Sequence, residues 1–183
     1  MNIGCHGLVW TGAFDADGIK LSVEKTKEAG FDLIEFPLMD PFAFDVDVAR
    51  ASLEEHDLAV SASLGLSEET DVTSSDPEVV ARGEALLLRA VDVLADLGGQ
   101  HFCGVIYSAM KKYMEPPTPA GIESSRRAIA RVADHAAERG VSVALEVVNR
   151  YESNVLNTAR QALDYLALLD RPNVGVHLDT YHM

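Results

Sequence analysis

The chain has 183 residues, with 15 Lys and Arg against 29 Asp and Glu, for a formal net charge of −14. This acidic balance argues against nucleic acids and anionic membranes as partners, because both are bound through Lys and Arg. Hydrophobic residues make up 48% and charged residues 24%, which is ordinary globular usage and excludes a disordered chain. Two isolated cysteines and the absence of a signal-peptide pattern predict a cytoplasmic protein without a disulfide scaffold.

Short apolar runs alternate with helical patterns along the whole chain, which is typical of consecutive βα units. Six strands are predicted, at 3–10, 31–36, 58–65, 101–107, 141–148 and 173–179. Five helical segments connect them, beginning near Asp17, Asp47, Pro77, Pro119 and Asn157. The third is the clearest, because Asp76 is a typical N-cap and Pro77 follows at the first helical position.

Two architectures fit such a series, an open doubly wound sheet and a (β/α)8 barrel. The first strand is followed by Thr11-Gly12-Ala13-Phe14, which is not a glycine-rich phosphate-binding turn. Small or polar residues at 142, 144 and 146 alternate with apolar ones at 143, 145 and 147, and three further strands alternate similarly. Parallel strands buried on both faces of an open sheet are apolar throughout, so the alternation favours the barrel.

The length accounts for only part of such a barrel. A complete barrel takes about 250 residues, so 183 residues correspond to about six of its eight units. The six predicted strands agree with this estimate. We therefore expect a single barrel domain over 1–183 that stops after strand six. An unclosed barrel leaves unpaired strand edges, so we expect either a longer protein, which we favour, or closure by another chain.

Acidic and imidazole side chains gather where the predicted strands end, which is where barrel active sites lie. The inward positions there and in the loops just beyond are His6, Glu35, Ser63, Glu146, Glu152, Asp179 and His182. Glu146 and Asp179 each end an apolar strand, where a merely solvated acid has no evident purpose, so we interpret both as functional. Carboxylates with imidazoles suit Mn²⁺, Mg²⁺ or Co²⁺ better than zinc.

Several positions allow a structural as well as a functional interpretation. Glu35 could form a structural salt bridge, and His6 could be a core histidine or a substrate contact. His177 lies two residues before Asp179 and is interpreted as a packing or supporting residue rather than a ligand. The loop over 108–117 is expected to expose its Met and Tyr side chains as a lid or an interface element.

Two late segments, LEVVNRYE at 145–152 and HLDTYHM at 177–183, resemble the signature strands of ketose 3-epimerases. These are the D-tagatose 3-epimerase and D-allulose 3-epimerase group of the xylose-isomerase-like barrels. The segments GCHGLVW at 4–10, GFDLIE at 30–35 and CGVIY at 103–107 are also similar to that group. The resemblance therefore extends from the first predicted strand to the last.

The resemblance implies a divalent metal, Mn²⁺, Mg²⁺ or Co²⁺, held by four side chains, of which Glu146 and Asp179 match the first two. The other two, on strands seven and eight, have no counterpart in this sequence. Glu146 also matches one of two carboxylates that invert C3 of a ketose through an enediolate. Glu152 and His182 match contacts to the O1–O3 end of the sugar. His6, at a position aromatic in a close relative, and Ser63 match pocket positions near the other end.

The leading hypothesis is metal-dependent epimerisation at C3 of free ketohexoses, either D-fructose and D-allulose or D-tagatose and D-sorbose. The resemblance also implies a small-molecule ketose as the partner and a homodimer or homotetramer as the assembly. A second enzyme hypothesis is another xylose-isomerase-like activity, of the hydroxypyruvate isomerase or inosose dehydratase type. A third is a non-catalytic truncated barrel that acts by association with another chain.

Overall fold

A computed structural model describes residues 2–183 of the chain. Six parallel strands form one sheet in the order β1-β2-β3-β4-β5-β6, so neighbours in sequence are neighbours in space. The strands are β1 Gly4–His6, β2 Leu33–Pro37, β3 Ala59–Leu66, β4 His101–Ala109, β5 Ser142–Val147 and β6 Val174–Leu178. The helices are α1 Ala16–Glu28, α2 Val46–His56, α3 Pro77–Asp96, α4 Pro119–Glu138 and α5 Ala159–Leu169. This is the alternation predicted from the sequence.

Each helix begins at a side chain that caps it. The predicted cap is confirmed at α3, where Asp76 accepts a hydrogen bond from the backbone N–H of Glu78 at 2.8 Å and Pro77 follows. The last helix begins later than predicted, because Thr158 rather than Asn157 caps it. Over residues 2–183, the helices are too short or too polar to cross a lipid bilayer.

The first strand is much shorter than predicted. A strand over 3–10 was expected, but only Gly4–His6 pairs with β2. The imidazole of His6 accepts a hydrogen bond from the backbone N–H of Leu8, and the chain turns there into a 3₁₀ helix over Gly7–Val9. The apolar run continues past His6, so hydropathy alone could not reveal this local side-chain contact.

The two faces of the sheet differ as the alternation predicted. On β5, Val143, Leu145 and Val147 are buried against the helices, where the main hydrophobic core lies. Glu146 projects from the opposite, inner face and keeps 17% of its side chain exposed. Apolar burial therefore fixes which face of each strand meets the helices, and the polar side chains are left to face the interior of the curve.

One glycine allows two neighbouring strands of the sheet to pair closely. Gly104 in β4 has φ +131°, and a Cβ added there would lie 2.1 Å from the carbonyl oxygen of Leu64 in β3. Only glycine fits both the backbone angle and this close approach. The contact maintains the β3–β4 pairing in which Ser63 lies opposite Cys103 on the inner face.

The loop that follows β4 is anchored more firmly than expected. Met110 and Met114 are exposed as predicted, but the prediction of an exposed Tyr was wrong for Tyr113. Its hydroxyl donates to Asp71 at 2.8 Å and it is half-buried, because the loop packs onto the segment after β3. The backbone N–H of Lys111 also donates to the carbonyl of Glu152, so this loop supports the residues after β5.

Candidate active site

The carboxyl ends of the strands bring the predicted site residues together in two groups. The carboxylate cluster lies at the carboxyl ends of β5 and β6 and consists of Glu146, Glu152, Asp179 and His182. The histidine–serine cluster lies on β1, β2 and β3 and consists of His6, Glu35 and Ser63. The two clusters lie on the same inner face, with β4 between the strands of one and those of the other.

Glu146, Asp179 and His182 converge because of a turn at the end of β6. The strand ends at Leu178, one residue earlier than predicted, so Asp179 is the first residue beyond it. Its carboxylate accepts the backbone N–H of Tyr181 at 2.8 Å, and its carbonyl accepts that of His182 at 3.1 Å. One ligand atom from each of the three side chains lies within 4.8 Å of the other two.

The proton of His182 is fixed by Asn149. The Oδ1 atom of Asn149 accepts the backbone N–H of Tyr151, so its Nδ2 atom faces Glu152 and the Nδ1 atom of His182, each at 2.9 Å. Since Nδ1 accepts that bond, the proton of the neutral imidazole resides on Nε2. The Nε2 atom lies 3.6 Å from Glu146 and 3.9 Å from Glu152. His182 therefore presents a donor, not a lone pair, to the carboxylates.

Glu146 lies in a setting that disfavours its charge. Burial raises the pKa of its carboxyl above the ordinary value of 4.5, and the negative charges of Asp179 and Glu35 add to that effect. The imidazoles of His177 and His182 oppose it. Among residues 2–183, no donor lies within hydrogen-bonding distance of the Glu146 carboxylate, whose approach to His182 is 3.6 Å. A partner of positive charge would relieve this arrangement.

The donor set fits a hard divalent cation. Glu146 and Asp179 offer oxygen atoms close enough to share one ion, and such ions prefer carboxylate ligands. His182 completes the geometric group, but its Nε2 carries a proton that points toward the same space. Glu146 and Asp179 are therefore the pair suited to an ion, and His182 is suited to a bound oxygen atom.

Hydrogen bonds and one longer contact hold the histidine–serine cluster together. The Nε2 atom of His6 lies 3.1 Å from the hydroxyl oxygen of Ser63 and 3.8 Å from the carboxylate of Glu35. Glu35 accepts hydrogen bonds from the hydroxyl of Ser61 at 3.3 Å and from the thiol of Cys103 at 3.5 Å. The cluster thus places polar side chains on the same inner face as Glu146, near enough for the charge of Glu35 to act on Glu146.

Three residues that contact these clusters were overlooked in the sequence, and a fourth was interpreted as a packing or supporting residue. Asn149, Ser61 and Cys103 were given no role, although the strand alternation already placed Ser61 on the polar face. His177 lies opposite Glu146 in the β5–β6 pairing, and its Nδ1 atom is buried without a hydrogen-bond partner within residues 2–183. Its position beside Glu146 agrees with a supporting role.

Comparison with known proteins gives relatives over the whole chain. It is 70% identical to a ketose 3-epimerase of Arthrobacter globiformis over 183 residues, which is 100% of this chain and 63% of that protein. It is 31% identical to a D-psicose 3-epimerase of Agrobacterium fabrum, with 88% of this chain and 57% of that protein covered. The crystal structure of a D-allulose 3-epimerase from Methylomonas sp. in complex with D-allulose matches with a TM-score of 0.98 and 47% identity.

That crystal structure is matched by 100% of this chain over 64% of its own length, so the chain spans just under two thirds of these relatives. The agreement in backbone identifies the six-stranded sheet and its helices as part of a TIM barrel, as the alternation predicted. The family model described as "Xylose isomerase-like TIM barrel" matches residues 23–183. The chain belongs to the xylose isomerase-like TIM barrel family.

Proposed function

We propose that the protein is a ketose 3-epimerase that inverts C3 of free ketohexoses, either D-fructose and D-allulose or D-tagatose and D-sorbose. The observation that carries the proposal is the pair Glu146 and Asp179, two adjacent carboxylates at the carboxyl end of a parallel barrel sheet. The names of the relatives support it, since one is a ketose 3-epimerase at 70% identity and another was crystallised with D-allulose.

Glu146 and Asp179 would hold a divalent cation, Mn²⁺ or Mg²⁺, with Co²⁺ as a further candidate. When bound, such a cation supplies Lewis-acid polarisation of the sugar carbonyl, which makes the neighbouring C–H a stronger acid. The unsatisfied carboxylate of Glu146 and its raised pKa support this assignment, because a cation offsets the cost of a buried charge.

Glu146 is the group we assign to removal of the C3 proton. A C–H bond beside a carbonyl is weakly acidic, so the base must be strong enough to take its proton, and burial makes the Glu146 carboxylate more basic. Inversion requires a second acid/base group on the other side of C3, and within this chain we assign only the first.

His182 and Glu152 are proposed to orient the O1–O3 end of the sugar. The Nε2–H group of His182 would donate to a sugar oxygen, and Glu152, held by Asn149 at 2.9 Å, would accept from a hydroxyl. His6 and Ser63 would contact the opposite end. Binding at both ends would bring C3 beside Glu146. Holding the reacting atoms in this orientation contributes to catalysis.

A homodimer or homotetramer is proposed as the assembly, and the reducing cytoplasm as the compartment. The free state of Cys5 and Cys103 agrees with the latter.

Proton exchange at C3 tests the proposed function directly. We would incubate the purified protein with D-fructose and Mn²⁺ in D₂O and follow the sugars by NMR. The expected result is deuterium at C3 together with formation of D-allulose. Treatment with a chelator should abolish exchange, and added Mn²⁺ should restore it. Parallel incubation with hydroxypyruvate tests the alternative isomerase type, and turnover of that compound without exchange at C3 of fructose would refute the epimerase proposal.

A further inference from the structure

The hydroxyl of Tyr107 holds the backbone at the end of β5. Tyr107 lies in β4 and is completely buried, and its hydroxyl donates to the carbonyl oxygen of Glu146 at 2.8 Å. The same hydroxyl lies 3.4 Å from the carbonyl oxygen of Leu156. Burial raises the pKa of this phenol, so the hydroxyl stays protonated and remains a donor.

The Tyr107 hydroxyl takes the place of a backbone donor in the sheet. The backbone N–H of Ser142 donates to the carbonyl of Gln100, the residue before β4. The N–H and C=O groups of one residue point to the same side of a strand, and the side alternates along it. The carbonyl of Glu146, an even number of residues further on, therefore also faces β4. The pairing of β4 with β5 extends only to Leu145, and beyond it the hydroxyl supplies the donor.

We propose that Tyr107 is a positioning residue for the reaction, because by holding the Glu146 carbonyl its hydroxyl fixes the direction in which the Glu146 carboxylate meets the divalent cation and C3 of the ketose. The backbone of a residue determines where its Cβ points, so a shift of this carbonyl displaces the carboxylate as well. A displacement of about 1 Å at a reacting group can cost about a hundredfold in rate. The inference rests on the proposed function, which assigns removal of the C3 proton to Glu146.

The segment after β5 is closed by the same hydroxyl. The carbonyl of Leu156 accepts from the backbone N–H of Val148 at 3.2 Å and from Tyr107 at 3.4 Å. Between Val148 and Leu156 the chain carries Asn149 and Glu152, which belong to the side of the site proposed to bind the sugar. This second bond is longer than the one to the end of β5. We therefore expect loss of the hydroxyl to lower kcat more than it changes KM.

Removal of the hydroxyl alone tests the assignment. In Tyr107→Phe, the rate of C3 proton exchange at saturating D-fructose and Mn²⁺ should fall about tenfold, and KM should change by less than about twofold. The dissociation constant for Mn²⁺, measured by electron paramagnetic resonance without sugar, should rise about threefold to tenfold. The physical reason is that Glu146 is a proposed ligand and loses its orienting contact.

Tyr165→Phe is the matched control. Tyr165 on α5 is also buried, and its hydroxyl is bonded to that of Ser125 at 2.8 Å. Ser125 donates in turn to the backbone carbonyl of Tyr107, so the control perturbs the neighbourhood of Tyr107 without removing its hydroxyl. Each variant removes one buried hydrogen bond, and both should lower the melting temperature by about 2–4 °C. Tyr165→Phe should keep kcat and the affinity for Mn²⁺ within about twofold of the parent.

A double-mutant cycle separates positioning from general stability. In Glu146→Asp the carboxylate is already displaced by one methylene group, so the addition of Tyr107→Phe should lower kcat by less than about threefold. A measurement on the parent needs no variant. The hydroxyl proton of Tyr107 should be observable by NMR, with slow exchange against solvent, both with and without Mg²⁺.

Five results would contradict this role of Tyr107. Tyr107→Phe could keep the parent kcat and Mn²⁺ affinity, or Tyr165→Phe could lose as much of both. The full tenfold loss could recur in the Glu146→Asp background, or the hydroxyl proton of the parent could exchange freely. If Tyr107→Phe does not fold whereas Tyr165→Phe does, the hydroxyl serves stability instead. If the parent exchanges no proton at C3 of any ketose, the proposed function fails, and the Mn²⁺ affinities of the variants still test Tyr107.

Discussion

Glu35 and Glu146 are the same residue type on the same inner face, yet their surroundings are opposite. Glu35 accepts hydrogen bonds from Ser61 and Cys103 and lies 3.8 Å from His6. The Glu146 carboxylate has no donor at hydrogen-bonding distance within residues 2–183, and burial raises its pKa. A carboxylate that accepts hydrogen bonds holds neighbouring side chains in position. A buried carboxylate without hydrogen-bond donors is available to a cation or a proton.

The histidines of the two clusters, by contrast, both accept a hydrogen bond at Nδ1. His6 receives a hydrogen bond at Nδ1 from the backbone N–H of Leu8, and His182 receives one from the side chain of Asn149. Both imidazoles therefore direct an N–H group toward the inner space. The two clusters therefore both present imidazole N–H groups, and they differ in whether their glutamate accepts hydrogen bonds.

The largest expected effect is on activity and concerns Glu146, the glutamate whose carboxylate has no hydrogen-bond donor within residues 2–183. Glu146→Gln should lower the rate of C3 proton exchange in D₂O by at least about 10³-fold at saturating Mn²⁺, since the amide is neither a base nor a good ligand. Glu35→Gln is the matched change in the histidine–serine cluster and should retain at least about a tenth of the parent rate. If the two variants lose activity equally, the assignment of a positioning role to Glu35 and a reacting role to Glu146 is wrong.

The next largest expected effect concerns the tautomer of His182, the histidine beside Glu146. Asn149→Asp replaces the side-chain donor to His182 by an acceptor and places a charge beside Glu152. The longer bond from the backbone N–H of residue 149 to the same nitrogen, at 3.4 Å, would remain. We expect the His182 proton to move to Nδ1 and kcat/KM for D-fructose to fall about tenfold to thirtyfold. The ¹⁵N spectrum of the labelled imidazole measures the tautomer. Asn154→Asp, at a loop amide that donates to the carbonyl of Glu115, provides the control and should change neither quantity.

Without a divalent cation, Glu35→Gln should lower stability more than Glu146→Gln does. This is the reverse of their expected effects on activity. Glu35→Gln should lower the free energy of unfolding by about 1–2 kcal/mol, because the thiol and hydroxyl donors lose a charged acceptor. Glu146→Gln should raise the melting temperature slightly, since it removes an unpaired buried charge. Added Mn²⁺ should stabilise the parent and fail to stabilise Glu146→Gln. Thermal denaturation with and without the ion measures both effects.

The stability gained by Glu146→Gln should depend on pH in a defined direction. Because the pKa of Glu146 is higher in the folded state than its ordinary value of 4.5, the unfolded state ionises first as the pH rises. The folded state is therefore penalised above about pH 4.5, and the advantage of Glu146→Gln should appear there. Below that pH both states of the parent are protonated, and the advantage should vanish. An advantage that persists at pH 3 would contradict the assignment.

Most of the fold could be predicted from the sequence because burial governs it. The alternation on β5 follows from which side chains meet the helices, and the same alternation directs Glu146 inward. Caps such as Asp76 act within a few residues, so the start of α3 was also predictable. The early end of β1 was not, because it depends on one bond between His6 and Leu8 that leaves no trace in hydropathy.

The candidate site was predicted as a set of residues but not as an arrangement. Strand ends and parity placed Glu146 and Asp179 on one side of the sheet, which the structure confirms by bringing their ligand atoms within 4.8 Å. Neither feature could assign a proton to His182, since that depends on the backbone N–H and the side-chain amide of Asn149, which both face its Nδ1 atom. The partners of Glu35 come from β3 and β4, and such long-range hydrogen bonds follow from register rather than from local pattern.

The smallest expected effect concerns a carboxylate whose pKa is shifted in the other direction. Asp134 on α4 accepts two hydrogen bonds from Arg171, at 2.5 and 3.0 Å, and this contact lowers the pKa of Asp134 below its ordinary value of 3.8. The pair therefore stabilises the fold above about pH 3.8, and its contribution decreases as the pH falls through the lowered pKa. Both side chains reach solvent, so Arg171→Gln should lower the melting temperature by only about 1 °C at pH 7. High salt should weaken the effect, because exposed ion pairs are screened, whereas the effect of Glu35→Gln should persist in the same salt. If salt weakens the effects of Arg171→Gln and Glu35→Gln equally, the contacts of Glu35 on the inner face are no better shielded from solvent ions than those on the helix surface.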